Sequence, residues 1–167
     1  TMTHRRSMLA LMAALAPDAS VGTAVAQSAP PTPQRSGDPA TNAGQRYTAS
    51  ADELIEAGRA TTWLAGATAT EWHVSAPLKT ASGAQHPHLT ARFAIRWFDA
   101  AKKARVDVTV ENAWAYEASP SNFTYDAEVL VGGKSVYAKP ALEHYHHARW
   151  RKVFWMGATE ADSIDVK

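Results

Sequence analysis

The sequence predicts an all-β fold, an antiparallel β-sandwich or open barrel preceded by a short helix. Three observations point there. Apolar and polar residues alternate with period two in several consecutive segments, candidate crossover helices are scarce, and a Gly132-Gly133 pair marks a tight reversal between two such segments. An alternating βαβ chain needs helices between its strands, so an antiparallel arrangement is favoured.

The elements follow in order. Residues 1–26 carry a basic head at His4, Arg5 and Arg6, an apolar run over 8–16, and small residues at Ala24, Val25 and Ala26. This is the form of a signal peptide cleaved after Ala26, and Arg5-Arg6 followed by Ser7 resembles a twin-arginine signal. The expectation is export to a secreted or periplasmic location. The apolar run is about half the ~20 residues that a bilayer-spanning helix needs, so no transmembrane anchor is expected. Residues 27–49 read as a Pro/Ala/Ser-rich linker whose low-complexity part ends near Gln45, since such residues supply too little apolar surface to repay ordering.

A β-rich domain is expected over 50–157. It opens on SADELIEAGR, where Ser50 and Glu53 have capping-box spacing and Gly58 is a stop signal, which predicts two helical turns. ATATEWHVSAP follows as a strand ending at Pro77. HLTARFAIRWF places Leu89, Ala91, Phe93, Ile95 and Trp97 on one face. RVDVTVEN sets Val106, Val108 and Val110 against Arg105, Asp107, Thr109 and Glu111, and NFTYDAEVLV repeats the alternation through Phe123, Tyr125, Ala127, Val129 and Val131. KSVYAKP and HYHHARWRKVFW complete five or six strands between Thr61 and Trp155. Residues 158–167 read as a polar tail or the truncation point of a longer protein.

Composition bounds the chemistry. Among 167 residues, 17 Lys plus Arg face 16 Asp plus Glu, so the net charge of +1 gives no global reason to expect a nucleic-acid partner. Cysteine is absent, which removes disulfides, thiol nucleophiles and Cys-ligated metals. No cofactor is predicted; a divalent metal held by His144 and His146, two apart on a strand, is the metal reading carried forward. His86 and His88, and Glu71 and His73, share that spacing. The carboxylates Asp107, Glu111, Asp126 and Glu128 belong to polar strand faces, where solvated side chains are what the alternation requires. No catalytic residue is identified.

The segment between the two clearest strands is more suggestive. Trp114 and Tyr116 stand beside Asn112, Asn122 and Tyr125, and aromatic faces next to amides suit a sugar ring with its C–H patches and hydroxyl edges. In HYHHARWRKVFW, alternation puts Arg149 and Arg151 opposite Trp150, Lys152 and Phe154. Trp114, Tyr116, Asn122 and Arg149 are the expected ligand contacts, and the expected partner is an acidic polysaccharide or a neighbouring protein domain.

The stretches GATATEWHVSAPL, HPHLTARFAIRWF, RVDVTVENAWAY, NFTYDAEVLVGGKSVY and HYHHARWRKVFW together resemble the β-rich N-terminal region of large secreted bacterial proteins related to exo-acting rhamnogalacturonan lyases. The resemblance covers about residues 60–157 and rests on overall texture. It implies a non-catalytic module supporting glycan binding or domain assembly, because cleavage in that family is carried mainly by a helical domain with no counterpart here. The alternatives are a small polysaccharide lyase, a metal-dependent enzyme using His144 and His146, or a structural module of a virion or cell-surface assembly.

Overall fold

The computed structural model describes residues 23–28, 45–113, 120–157 and 162–164. Among them the chain forms β1 (Thr23–Ser28), β2 (Arg46–Ser50), α1 (Ala51–Glu56), β3 (Thr61–Ala65), β4 (Ala69–Lys79), β5 (Gln85–Phe98), β6 (Lys103–Asn112), β7 (Phe123–Val131), β8 (Lys134–His144), β9 (Ala148–Met156) and β10 (Asp162–Ile164). Every pairing is antiparallel. The strands join in the order β10-β9-β6-β5-β4-β2-β1-β7-β8, and β3 adds to β4.

That order requires curvature. β8 ends one side of the sheet and β9 lies next to the other end, yet only residues 145–147 separate them. Such a link reaches about 15 Å at most, so the two sides of the sheet must approach each other. The result is an all-β, curled antiparallel sheet of half-barrel form with one short helix. Side chains close the seam: the Tyr137 and Trp150 rings lie 5.9 Å apart, and Lys152 Nζ sits 4.6 Å above the Tyr137 ring.

The alternation sorts the two faces as expected. Leu89, Ala91, Phe93, Ile95 and Trp97 of β5 and Val106, Val108 and Val110 of β6 are buried inside the curl with Trp72, Val74, Leu78, Tyr125, Val129 and Phe154. α1 adds Ala51, Leu54 and Ile55 to the same core. Its ends form as the sequence predicts. Ser50 Oγ accepts from the Glu53 amide at 3.4 Å; at the other end the Gly58 and Arg59 amides donate to the Ile55 and Leu54 carbonyls. Gly58 has φ of 72°, the left-handed turn that this pair of bonds needs. Gly58→Ala should lower stability by about 1 kcal/mol, read as an earlier urea midpoint.

Three expectations need correction. Seven strands, not five or six, fall between Thr61 and Met156, because β3 adds one that no alternation marks: all five of its residues are exposed. The stretch SGAQHPH, which reads from sequence as a hairpin loop around Pro87, is one only in its first three residues. The turn occupies 80–84, and β5 already begins at Gln85, with Pro87 in the irregular stretch between the Pro77–Thr90 and Lys79–Gln85 pairs. HYHHARWRKVFW is not one strand. His144 closes β8, and β9 starts at Ala148 after a corner in which His147 takes φ of 61°.

Pro77 does lie in β4, at a place that tolerates it. β3 pairs with β4 only as far as His73 and β2 only at Lys79, so the Pro77 nitrogen has no ladder partner to lose on that side. The end of the stretch read as linker belongs to the fold, since Tyr47 and Ala49 of β2 point into the core. β1 pairs with both β2 and β7 and contains Ala26, so the expected cleavage after Ala26 would remove most of the strand that joins them.

Candidate functional site

Outward residues of β4, β5, β6 and β9 form a charged lattice whose register is fixed by the strand pairings. Ser75, Arg92, Thr109 and Arg151 make one row, and Glu71, Arg96, Arg105 and Trp155 make another. A third row runs Pro77, Thr90, Glu111 and Arg149. These side chains stand outward because their neighbours along each strand are the core residues (period two leaves them no other side).

The lattice floors an open concavity of about 490 Å³. Its lining includes six arginines (Arg59, Arg92, Arg96, Arg105, Arg149 and Arg151) against three carboxylates (Glu71, Asp107 and Glu111), with His73 and Thr109 between them. Arg59 reaches this face from the residue after Gly58 and donates to the Ser75 carbonyl at 3.2 Å, across the stretch of β4 that neither β2 nor β3 pairs.

Ion pairs hold most of the lattice, across strands except for Arg105–Asp107 within β6 and His73–Glu71 within β4. Arg92 Nε donates to Glu111 at 2.5 Å, Arg105 contacts Asp107 at 3.0 Å, Arg151 Nε donates to the other Asp107 oxygen, and Arg96 Nε donates to Glu71. His73 Nε2 donates to the remaining Glu71 oxygen at 2.7 Å. Burial pushes the Glu71 carboxyl up, but hydrogen bonds from His73 and Arg96 outweigh it and hold the group below the usual carboxylate range. Arg149 makes no ion pair among the described residues and stands exposed on this face.

A second polar cluster lies inside the β8–β9 corner. His144 is 2% exposed; its Nε2 meets the Ala148 carbonyl at 3.0 Å and its Nδ1 meets the Tyr125 hydroxyl at 2.7 Å. A carbonyl can only accept, so Nε2 carries the proton and Nδ1 accepts from Tyr125. The Tyr125 oxygen in turn accepts from Trp150 Nε1 at 2.8 Å. Burial lowers the His144 pKa and raises that of Tyr125, so both groups stay neutral, as the chain of bonds requires.

Of the residues expected from sequence, Asn122, His144 and His146 belong to this corner and Arg149 to the charged face. Trp114 and Tyr116 lie outside the described residues. Asn122 holds the corner, its Oδ1 accepting from the His146 amide at 2.8 Å. His144 has both ring nitrogens engaged, and His146 packs on His147 with ring centroids 3.9 Å apart, so the two do not converge as a ligand pair. Among the described residues no group of three His, Cys, Asp or Glu side chains is placed to hold a metal ion. Among the expected contacts within the described residues, Arg149 alone belongs to the arginine face.

Sequence reasoning missed Arg59, Arg92, Arg96 and Arg105 as members of that face. The signal for three of them was present in the alternation itself, since Arg92, Arg96 and Arg105 occupy the outward positions of ARFAIRW and RVDV. What was absent was the β6–β9 pairing, which brings Arg151 beside Asp107 across 44 residues of chain. No family model matches the chain, and searches of curated proteins and of solved structures return no match.

Proposed function

We propose that the protein is a non-catalytic, exported β-module, of sandwich or open-barrel type, that binds acidic polysaccharide across the outer face of β4, β5, β6 and β9. One observation carries the reading: six arginines gather on one concave face against three carboxylates, in a chain whose overall charge is only +1. Guanidinium groups pair with carboxylates in planar, two-bond geometry, which suits them to uronate groups.

The interleaved carboxylates favour a glycan over a nucleic acid. Each carboxylate offers about four lone-pair sites and keeps acceptor capacity after meeting one or two arginines. A sugar polymer brings hydroxyl donors for those sites along with its acidic groups, whereas a phosphodiester backbone brings only acceptors. The same carboxylates are each tied to arginine, an arrangement for holding charges in place rather than for passing protons. The likeness in texture to the β-regions of secreted rhamnogalacturonan-lyase-related proteins supports a role within a larger polysaccharide-processing assembly.

Affinity electrophoresis against polygalacturonate, a sulfated polymer and a neutral glucan tests this. The wild-type chain should be retarded by polygalacturonate and not by the neutral glucan. Arg149→Glu should weaken that binding by about tenfold at low salt, and the deficit should shrink as salt is raised. Equal retardation of wild type and variant, with the fold retained, would remove the arginine face from the account.

A further inference from the structure

We infer that Trp63 is a sugar-stacking platform at one end of the arginine face, so that the site takes a uronate-containing chain with a pyranose ring lying on the indole. The inference rests on the acidic-polysaccharide reading above. It adds the element that would separate a sugar ligand from any other polyanion.

Trp63 is 71% exposed and, with Leu64 beside it at 40%, makes a contiguous exposed apolar patch on β3. Its placement comes from an irregularity in the β3–β4 ladder. Thr62 pairs with Trp72 and Leu64 with Glu71, two consecutive residues of β4, so Trp63 is the extra residue of a β-bulge. The bulge turns Trp63 to the outer face of the sheet, where one side of the indole stacks on His73 with ring centroids 5.2 Å apart and an interplanar angle of 12°.

The stack is anchored to the arginine lattice. His73 is held by Glu71 and Glu71 by Arg96, so a continuous line of contacts runs from the indole to the guanidinium row. A flat ring fixed on one side and open on the other is preorganised for a flat apolar ligand surface, and little side-chain freedom remains to be lost on binding. From β3 to β9 the sheet crosses four strand spacings, about 19 Å, a length that takes a short run of linked sugars. One ring would stack on Trp63, and carboxylates further along the chain would meet Arg92, Arg149 and Arg151.

A protein partner fits this surface less well. The apolar part is one indole and the neighbouring Leu64, far short of the ~800 Å² per partner of an ordinary protein interface, and charged groups line the face beyond it.

The test is isothermal calorimetry of the full chain with oligogalacturonate, with single-stranded DNA as a second titrant, at low and high salt. Trp63→Ala should weaken oligogalacturonate binding by about tenfold, and Trp63→Tyr should restore most of it. The Trp63→Ala loss should be the same at both salt concentrations, because stacking is not screened, whereas the Arg149→Glu loss should shrink. Trp63→Ala binding at wild-type affinity while Arg149→Glu binds weakly would overturn the platform and leave the arginine face standing. No oligogalacturonate binding by the wild-type chain would overturn both, and tighter binding of DNA than of oligogalacturonate would overturn the sugar assignment.

Discussion

Tyr125→Phe is expected to lower the unfolding free energy by about 2–4 kcal/mol although it removes a single oxygen atom. That oxygen has two partners: it accepts from Trp150 Nε1 and donates to His144 Nδ1. Without it, a buried imidazole acceptor and a part-buried indole donor lose their partners, and each orphaned group costs about 1–3 kcal/mol. The ring and its packing against the core are kept, so the loss reports the hydrogen bonds and not a cavity. The corner they hold is where the chain crosses from one side of the curled sheet to the other. A urea midpoint unchanged from wild type would contradict this account.

The same corner sets a pH dependence. Burial depresses the His144 pKa below the ordinary value of 6.5, so the unfolded chain takes up its proton at a higher pH than the folded one. The stabilisation is fully present above about 6.5 and is lost as pH falls from there toward the folded pKa. Glu71, also depressed, adds a second loss at lower pH: its contribution is present above its ordinary value of 4.5 and disappears as pH falls through its folded value. Stability measured by urea unfolding should therefore decline in two steps on acidification. In His144→Gln the upper step should be absent.

Asp107→Asn is expected to move stability and binding in opposite directions. Asp107 lies between Arg105 and Arg151, with its side chain only 12% exposed. Removing its charge leaves two guanidinium groups facing each other without the anion between them. Both are partly solvated, so the stability cost should be about 1–2 kcal/mol rather than that of a fully buried pair. The arginine face would then keep two carboxylates against six arginines, and affinity for polygalacturonate should rise about threefold to tenfold at low salt. A variant that is less stable and also binds more weakly would mean that Asp107 serves the ligand directly or holds Arg151 in its binding position.

Much of the fold was legible because alternation is a local property. The inward sets of β5, β6 and β7, and the opposition of Arg149 and Arg151 to Trp150 and Phe154 in β9, follow from period two and reappear in the burial. So does α1, whose caps at Ser50 and Gly58 are encoded by residue type. What alternation could not show was pairing. β3 has no inward residue, and the break at 145–147 interrupts an aromatic run that carries no glycine or proline. The candidate site suffered most from this, since its arginines come from β5, β6, β9 and the α1 terminus and meet only through the sheet register. His144 illustrates the converse: spacing from His146 suggested a ligand, but burial and two hydrogen bonds make it part of the corner.

Protection of arginines from phenylglyoxal, read by mass spectrometry with and without polygalacturonate, tests most directly that the acidic glycan lies across the outer face. Arg46 on β2, paired with Glu128 and outside the concavity, is the internal control. Arg59, Arg92, Arg149 and Arg151 should become protected by the polymer while Arg46 reacts as before. Uniform reactivity at all five, or protection confined to Arg46, would contradict it.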